Sequence, residues 1–302
     1  ATMFRALDDR KPIWATLNEP WVVTDGGYLH GPLAPGHRNL FETPIAAHNL
    51  LRAHGAAVAA YRETGGKNPI GIVVNLEPKY PASDSEADRA ALVRADAYMN
   101  RQYLDPIFFG EYPSEFPDMY GEAWPDFPES DFAMIRQPVD FIGINYYKRG
   151  ITKFDPNVII ERAVRVENRD RAVYTTVDWE VFPQGLTDIL TWTRDRYGNV
   201  PIYITENGAA FYDPPEALGI VQDPLRVDYL RAHLLAAREA MRRGVDLRGY
   251  CVWSLLDNFE WALGYAKRFG IIHVNFETQK RTLKASAQFY KEVIRTRGAN
   301  LQ

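Results

Sequence analysis

The sequence predicts an α/β chain built on a parallel sheet. Three observations carry that expectation. Apolar runs of strand length alternate with amphipathic helical segments, the pattern of successive βαβ units. Several runs are continuously apolar, as strands buried on both faces are. Polar residues gather where the runs end, at the C-terminal edge where α/β architectures build their sites.

The first strand is expected over 13–17. It must end at Asn18-Glu19-Pro20, because a proline cannot donate to a sheet ladder. A helix over 44–63 carries its apolar positions at Ile45, Leu50, Leu51, Val58 and Tyr61. The second strand, 70–75, is followed by Asn75 and Glu77 at its tip. Ser83-Asp84-Ser85-Glu86 is a capping-box signature opening a helix to about Tyr103. The stretch 108–132 is rich in proline and aromatics with weak periodicity and reads as a long structured loop. The third strand, 139–146, ends in Asn145-Tyr146-Tyr147. Residues 148–178 form a second excursion, with an outlying hairpin over 153–166. A helix over 184–197 precedes the fourth strand, 200–205, whose end carries Glu206-Asn207-Gly208, the glycine allowing a tight turn. Asp223-Pro224 supplies an N-cap and an N1 proline for a helix closing at Gly244. The fifth strand, 249–255, holds Trp253-Ser254, and a last helix covers 284–297.

Bulk properties narrow the function. The chain has 302 residues, so it is two average domains or one large α/β barrel; we expect a single domain over 1–302. A net charge of −4 argues against a nucleic-acid partner. No apolar run approaches the roughly 18 residues that span a bilayer, so no membrane association is expected, and no signal-peptide pattern opens the chain. One cysteine, Cys251, excludes an intrachain disulfide framework and points to a reducing, cytoplasmic location. Aromatic content is 13%, which suits either a large core or a cleft with stacking platforms.

Two strand tips carry the chemistry. A lone glutamate at such a tip is more often a solvated charge than a catalyst. Glu19 and Glu206, however, each follow a buried strand and each adjoin an asparagine. Two carboxyls facing one ligand suit acid and nucleophile chemistry, with glycoside hydrolysis the leading example. The segment VWSLLDNFEWALGYAKRFG, 252–270, adds Trp253, Glu260, Trp261 and Phe269, the stacking and hydroxyl-binding groups a sugar site needs. Its plainer reading is an apolar surface loop, against which Asp257, Asn258 and Glu260 weigh.

Together TLNEP, ITENG and WSLLDNFEW make the sequence resemble glycoside hydrolase family 1, the β-glucosidase and β-galactosidase family, over essentially the whole chain. The resemblance implies the (β/α)8 TIM-barrel fold and a retaining two-step mechanism with no metal and no organic cofactor. It also implies that about five of the eight βα units of such a barrel are here, the first three being absent from the chain. Glu19 matches the family's acid/base and Glu206 its nucleophile. Asn18 matches the amide that binds the sugar 2-hydroxyl, Tyr147 in GINYY the tyrosine that hydrogen-bonds the nucleophile, and Asn145 lies in the same motif. Trp253 resembles the platform under the glycone. Glu260 and Trp261 match the pair that reads the distal hydroxyls, Phe269 lines that pocket, and Trp179 in DWEVFP resembles the aromatic that contacts the aglycone.

Glu rather than Gln at 19 implies an O-glycosidase, and a carboxylate at 260 disfavours a 6-phosphorylated sugar. The implied partner is a small-molecule β-glycoside. An open five-strand arc would also expose apolar interior and unpaired edges, open to an adventitious apolar ligand. Three readings therefore stand: a retaining β-glucosidase-like hydrolase; a barrel fragment with little activity alone, completed by its missing N-terminal part or by another copy of itself; and a sugar-binding module that does not hydrolyse.

Overall fold

Strand β1, Trp14–Asn18, stops just short of Pro20, which opens a short helix, Pro20–Thr24. The computed structural model describes residues 1–301. The other strands are β2 (Ile70–Asn75), β3 (Lys79–Pro81), β4 (Phe141–Asn145), β5 (Gly150–Phe154), β6 (Ala163–Val166), β7 (Ile202–Asn207), β8 (Leu247–Val252), β9 (Ile272–Val274) and β10 (Arg281–Leu283). All five sequence-predicted strands are present as β1, β2, β4, β7 and β8. β7 begins at Ile202, past the donor-less Pro201, and runs on through Glu206 and Asn207. Glu206 therefore belongs to the strand rather than to the turn after it. β8 starts and ends earlier than expected, leaving Trp253 and Ser254 beyond it.

The chain packs as two units. The first contains Ala1–Asn145, Gly150–Val166 and Tyr197–Tyr203; the second contains Tyr146–Arg149, Glu167–Arg196 and the chain from Ile204 onward. In the first, β1, β2 and β4 lie side by side in that order and parallel. The β2–β4 ladder is regular from Gly71↔Phe141 to Asn75↔Asn145, so two asparagines end level with each other. β1 shifts register against β2 between Ala15 and Asn18. Gly71 is required: a Cβ there would stand 2.2 Å from the Phe141 carbonyl oxygen. β2 and β4 are buried along their whole length, as expected for central parallel strands, whereas β1, with one neighbour, is only half-buried.

The helix Glu42–Glu63 covers this ladder through Val58 and Tyr61, which pack on Ile70. The capping box is displaced by two residues. Ser85, not Ser83, is the N-cap and accepts from Asp88 N at 3.2 Å, while Ser83 donates to the Asp88 carboxylate at 2.6 Å. That helix ends at Asp96 rather than near Tyr103, giving way to a π turn, Ala97–Arg101. The Asn100 side chain accounts for the wider turn: it accepts from Glu77 N and donates to Glu77 O, clamping the end of β2. The 108–132 loop is structured as expected, with short helices Phe116–Tyr120 and Glu129–Ile135 and a buried aromatic cluster around Phe116 and Tyr120. β5 and β6 form the outlying hairpin, and β3 extends it in parallel, a pairing the sequence did not suggest.

In the second unit β7 lies beside β8. The helix Pro224–Arg242 packs Tyr229 and Leu230 against Phe211, Ile271 and Ala287. Asp223 is its N-cap as expected, but the carboxylate caps nothing in its own helix. It accepts from Ser286 N at 2.8 Å and Ser286 Oγ at 2.6 Å and pairs with the buried Arg226, because an interior guanidinium needs a counter-charge. Gly244 follows the helix at φ 92°, a left-handed termination suited to glycine. The β9–β10 hairpin, also unexpected, precedes the helix Ala285–Thr296. Among the described residues no helix is long and apolar enough to cross a membrane.

Candidate active site

In the first unit three sequence-predicted residues meet. Asn145, at the end of β4, donates from Nδ2 to Asn18 Oδ1 at 3.0 Å and to Glu19 Oε1 at 2.8 Å. One buried carboxamide thus holds both residues of the β1 tip. Glu19 itself sits at φ 49°, ψ 57°, a left-handed conformation that costs a non-glycine residue about 1–3 kcal/mol. Its neighbours fix it there. Glu19 N donates to Val73 O at 3.0 Å, and Glu19 O accepts from Val22 N at 3.0 Å as the Pro20 helix begins. The chain turns from strand to helix at this residue, which carries its carboxylate to the Asn145 amide. Past the end of β2, Glu77 and Lys79 form a buried ion pair at 2.8 Å.

The second unit gathers the remaining candidates. Tyr147 donates its hydroxyl to Glu206 Oε2 at 2.6 Å. Its ring packs 4.9 Å from Trp179 and 6.2 Å from Phe269, and Trp179 lies 5.9 Å from Phe269, so the ring that carries the hydroxyl belongs to a cluster of three aromatics. Burial, with the Glu206 charge adding to it, pushes the Glu260 carboxyl above its ordinary value, while a hydrogen bond from Trp253 opposes the rise. Trp261 differs from the rest: it is 70% exposed, at φ 42°. Gly208 serves close approach rather than a left-handed turn, since a Cβ there would overlap the Trp253 carbonyl oxygen.

Three features were not legible in the sequence. Arg149 binds both oxygens of Glu180, at 2.9 and 2.8 Å, and so ties the residue after Trp179 to the segment carrying Tyr147. Asn207, next to Glu206, is wholly buried and hydrogen-bonded on every side. Asp257, inside WSLLDNFEW, is a buried structural hub. It accepts from Gly270 N, Val274 N and Arg268 and pairs with Lys284 at 3.0 Å. Its partners come from four places in the chain, so no local spacing announces them.

Asp213, Asp257 and His273 bring ligand-type atoms within 4.8 Å of one another. The position a cation would take is already held: Lys284 Nζ lies 2.6 Å from Asp213 and 3.0 Å from Asp257, with Arg226 and Arg268 alongside. Burial and the neighbouring Arg226 depress the Lys284 pKa, with the two aspartates opposing that. The trio belongs to an ion-pair network.

Residues 1–299 match the sequence model of Glycosyl hydrolase family 1. The chain is 43% identical over 301 residues to beta-glucosidase A of Thermotoga maritima and 43% identical over 302 residues to 1,4-beta-D-glucan glucohydrolase of Thermotoga neapolitana, covering 98% of this chain in each case. It spans 66%, just under two thirds, of the length of those relatives. The solved family 1 β-glucosidase of Thermotoga maritima superposes with a TM-score of 0.93 at 43% identity, over 97% of this chain and 66% of that one. The same enzyme in complex with glucoimidazole superposes equally well, at 0.93 over 98% of this chain. The five parallel strands are therefore those of the (β/α)8 barrel class, and the chain belongs to glycosyl hydrolase family 1.

Proposed function

We propose that the chain carries the two catalytic carboxylates of a retaining, β-glucosidase-like O-glycoside hydrolase acting on terminal non-reducing β-D-glycosides. In this reading Glu19 protonates the leaving oxygen while Glu206 attacks the anomeric carbon. The glycosidic bond breaks as the Glu206–carbon bond forms, and Glu19, now a carboxylate, takes a proton from the water that releases the sugar. One observation carries the proposal: the 2.6 Å contact from Tyr147 to Glu206 has the length of a hydroxyl-to-carboxylate hydrogen bond, which favours the ionised form a nucleophile needs. Asn145 holds Glu19 through Oε1, and Asn18 beside it offers an amide to a sugar hydroxyl. Trp253 forms the floor for the glycone, Glu260 and Trp261 read its distal hydroxyls, Phe269 closes the pocket, and Trp179 meets the aglycone. A carboxylate at 260 would repel a phosphorylated sugar. Relatives named β-glucosidase, one solved with deoxynojirimycin, support a neutral glucose-like glycone. The lone cysteine supports a cytoplasmic location.

The share of its relatives that the chain spans favours a second reading, in which it turns over only when completed by the other third or by a second copy. The test assays a chromogenic β-glucoside with the chain alone and with a complementing N-terminal fragment. Turnover by the chain alone supports the first reading, and turnover only with the complement supports the second. In the active preparation Glu206→Gly should abolish turnover, and azide should restore part of it with an inverted glycosyl azide as product. Full activity in Glu206→Gly would sink both.

A further inference from the structure

Glu206 and Asn207 are successive residues of β7, so their side chains leave opposite faces of the strand. Glu206 meets the Tyr147 hydroxyl, and Asn207 turns into the interior. There its amide is fully used. Nδ2 donates to the Tyr146 carbonyl at 2.7 Å and to the Tyr229 hydroxyl at 2.9 Å, and Oδ1 accepts from the Tyr250 hydroxyl. The anchors are themselves held: Tyr290 donates to the Tyr250 carbonyl at 2.7 Å, and Trp253 N donates to the Asn207 carbonyl at 3.0 Å. The Tyr146 carbonyl belongs to the planar peptide unit that leads into Tyr147, so gripping it fixes the plane from which the Tyr147 side chain departs. In addition Tyr146 N donates to Glu206 O at 3.0 Å. Tyr146 is thus pinned to Glu206–Asn207 through both its amide and its carbonyl.

We propose that Asn207 is a positioning residue: its grip on the Tyr146 carbonyl, oriented by Tyr250 and Tyr229, sets the hydrogen bond between Tyr147 and Glu206. The catalytic meaning rests on the reading of Glu206 as nucleophile, while the positioning itself can be measured without turnover. The experiment labels glutamate carboxyls with carbon-13 in the full chain, assigns Glu206 by its loss in Glu206→Gln, and follows its titration by NMR. Tyr147→Phe deletes the bond and should raise the Glu206 midpoint, because a hydrogen bond to the charged form favours it. Asn207→Ala and Tyr250→Phe leave Tyr147 and Glu206 in place. They should raise the midpoint by roughly half or more of the Tyr147→Phe rise. Circular dichroism checks folding, and if Asn207→Ala does not fold, Tyr250→Phe, which removes one hydroxyl, carries the test. A midpoint raised in Tyr147→Phe but unmoved in the Asn207 and Tyr250 variants overturns the proposal, leaving Asn207 as core packing alone. A midpoint unmoved even in Tyr147→Phe overturns it as well. Neither outcome touches the hydrolase reading, which the chromogenic assay judges separately.

Discussion

Glu19 and Glu206 both stand at the C-terminal ends of parallel strands, yet they are held in different ways. Glu19 lies one residue beyond β1, in left-handed backbone, and takes a hydrogen from the Asn145 carboxamide. Glu206 lies inside β7 and takes a hydrogen from the Tyr147 phenol, at the shorter distance of 2.6 Å. A phenol hydroxyl at that range binds an ionised carboxylate strongly. Asn145 meets Glu19 through a neutral carboxamide N–H at 2.8 Å, a longer contact than the phenol makes with Glu206. The lesson is that chain position delivers a carboxylate to the strand end, while residues distant in sequence supply the donor it meets there.

On the proposed mechanism, and in an active preparation, the largest effect should come from exchanging each glutamate for glutamine. Glu206→Gln should lower kcat by roughly 10⁴-fold or more whatever the leaving group, as removing a nucleophile does. Glu19→Gln should cost about 10²–10⁴-fold on poor leaving groups and far less on activated aryl glycosides, as removing a general acid does. Steady-state kinetics across a series of aryl β-glucosides measures both, and equal leaving-group sensitivity in the two variants would erase the contrast.

Asp257 offers the next test, setting a carboxylate buried for structure against the two at the strand ends. Asp257→Ala strips a partner from Lys284, which is 0% exposed, and should cost about 3–5 kcal/mol in urea unfolding. Glu206→Gln should leave the unfolding midpoint nearly unmoved.

The two units also share an acid sensitivity. His54 in the first and His233 in the second are buried, and burial holds each down to about 4. Their unfolded pKa lies near 6.5. The unfolded chain therefore takes up protons that the folded chain refuses as pH falls from 6.5 towards 4. Stability is complete above that window and lost through it, by roughly 1.4 kcal/mol per pH unit for each histidine. Unfolding measured at pH 7.5 and pH 5 should show the loss, and His233→Phe should remove one share of it. An unchanged slope in that variant would remove His233 from the account.

The smallest effect concerns Trp261. Being largely exposed, Trp261→Ala should change stability by less than about 0.5 kcal/mol. If Trp261 reads the sugar, KM should rise all the same, and an unchanged KM would remove it from the pocket.

Much of the site was legible because motifs keep chemistry next to a strand end. Asn18-Glu19 before Pro20 is readable since a proline stops a ladder, and Tyr147 follows Asn145 within one strand and its tip. Tyr229 and Tyr250 were not legible, because they reach Asn207 from a helix and from β8 across 22 and 43 positions. Arg149 and Glu180, 31 positions apart, are equally silent in sequence. The displaced helix cap has a different cause: Ser83 and Ser85 both precede an acid at usable spacing, and only the packed chain chose Ser85.

By itself the sequence determined the parallel α/β pattern, the five sheet strands and the placing of Glu19 and Glu206 at strand ends, since periodicity and chain-breaking residues act locally. Tertiary structure decided what each carboxylate touches, which acid in WSLLDNFEW faces the core, and why glycine follows Asn207. Those outcomes depend on atoms brought together from distant positions, where a few tenths of an ångström separate a hydrogen bond from a clash.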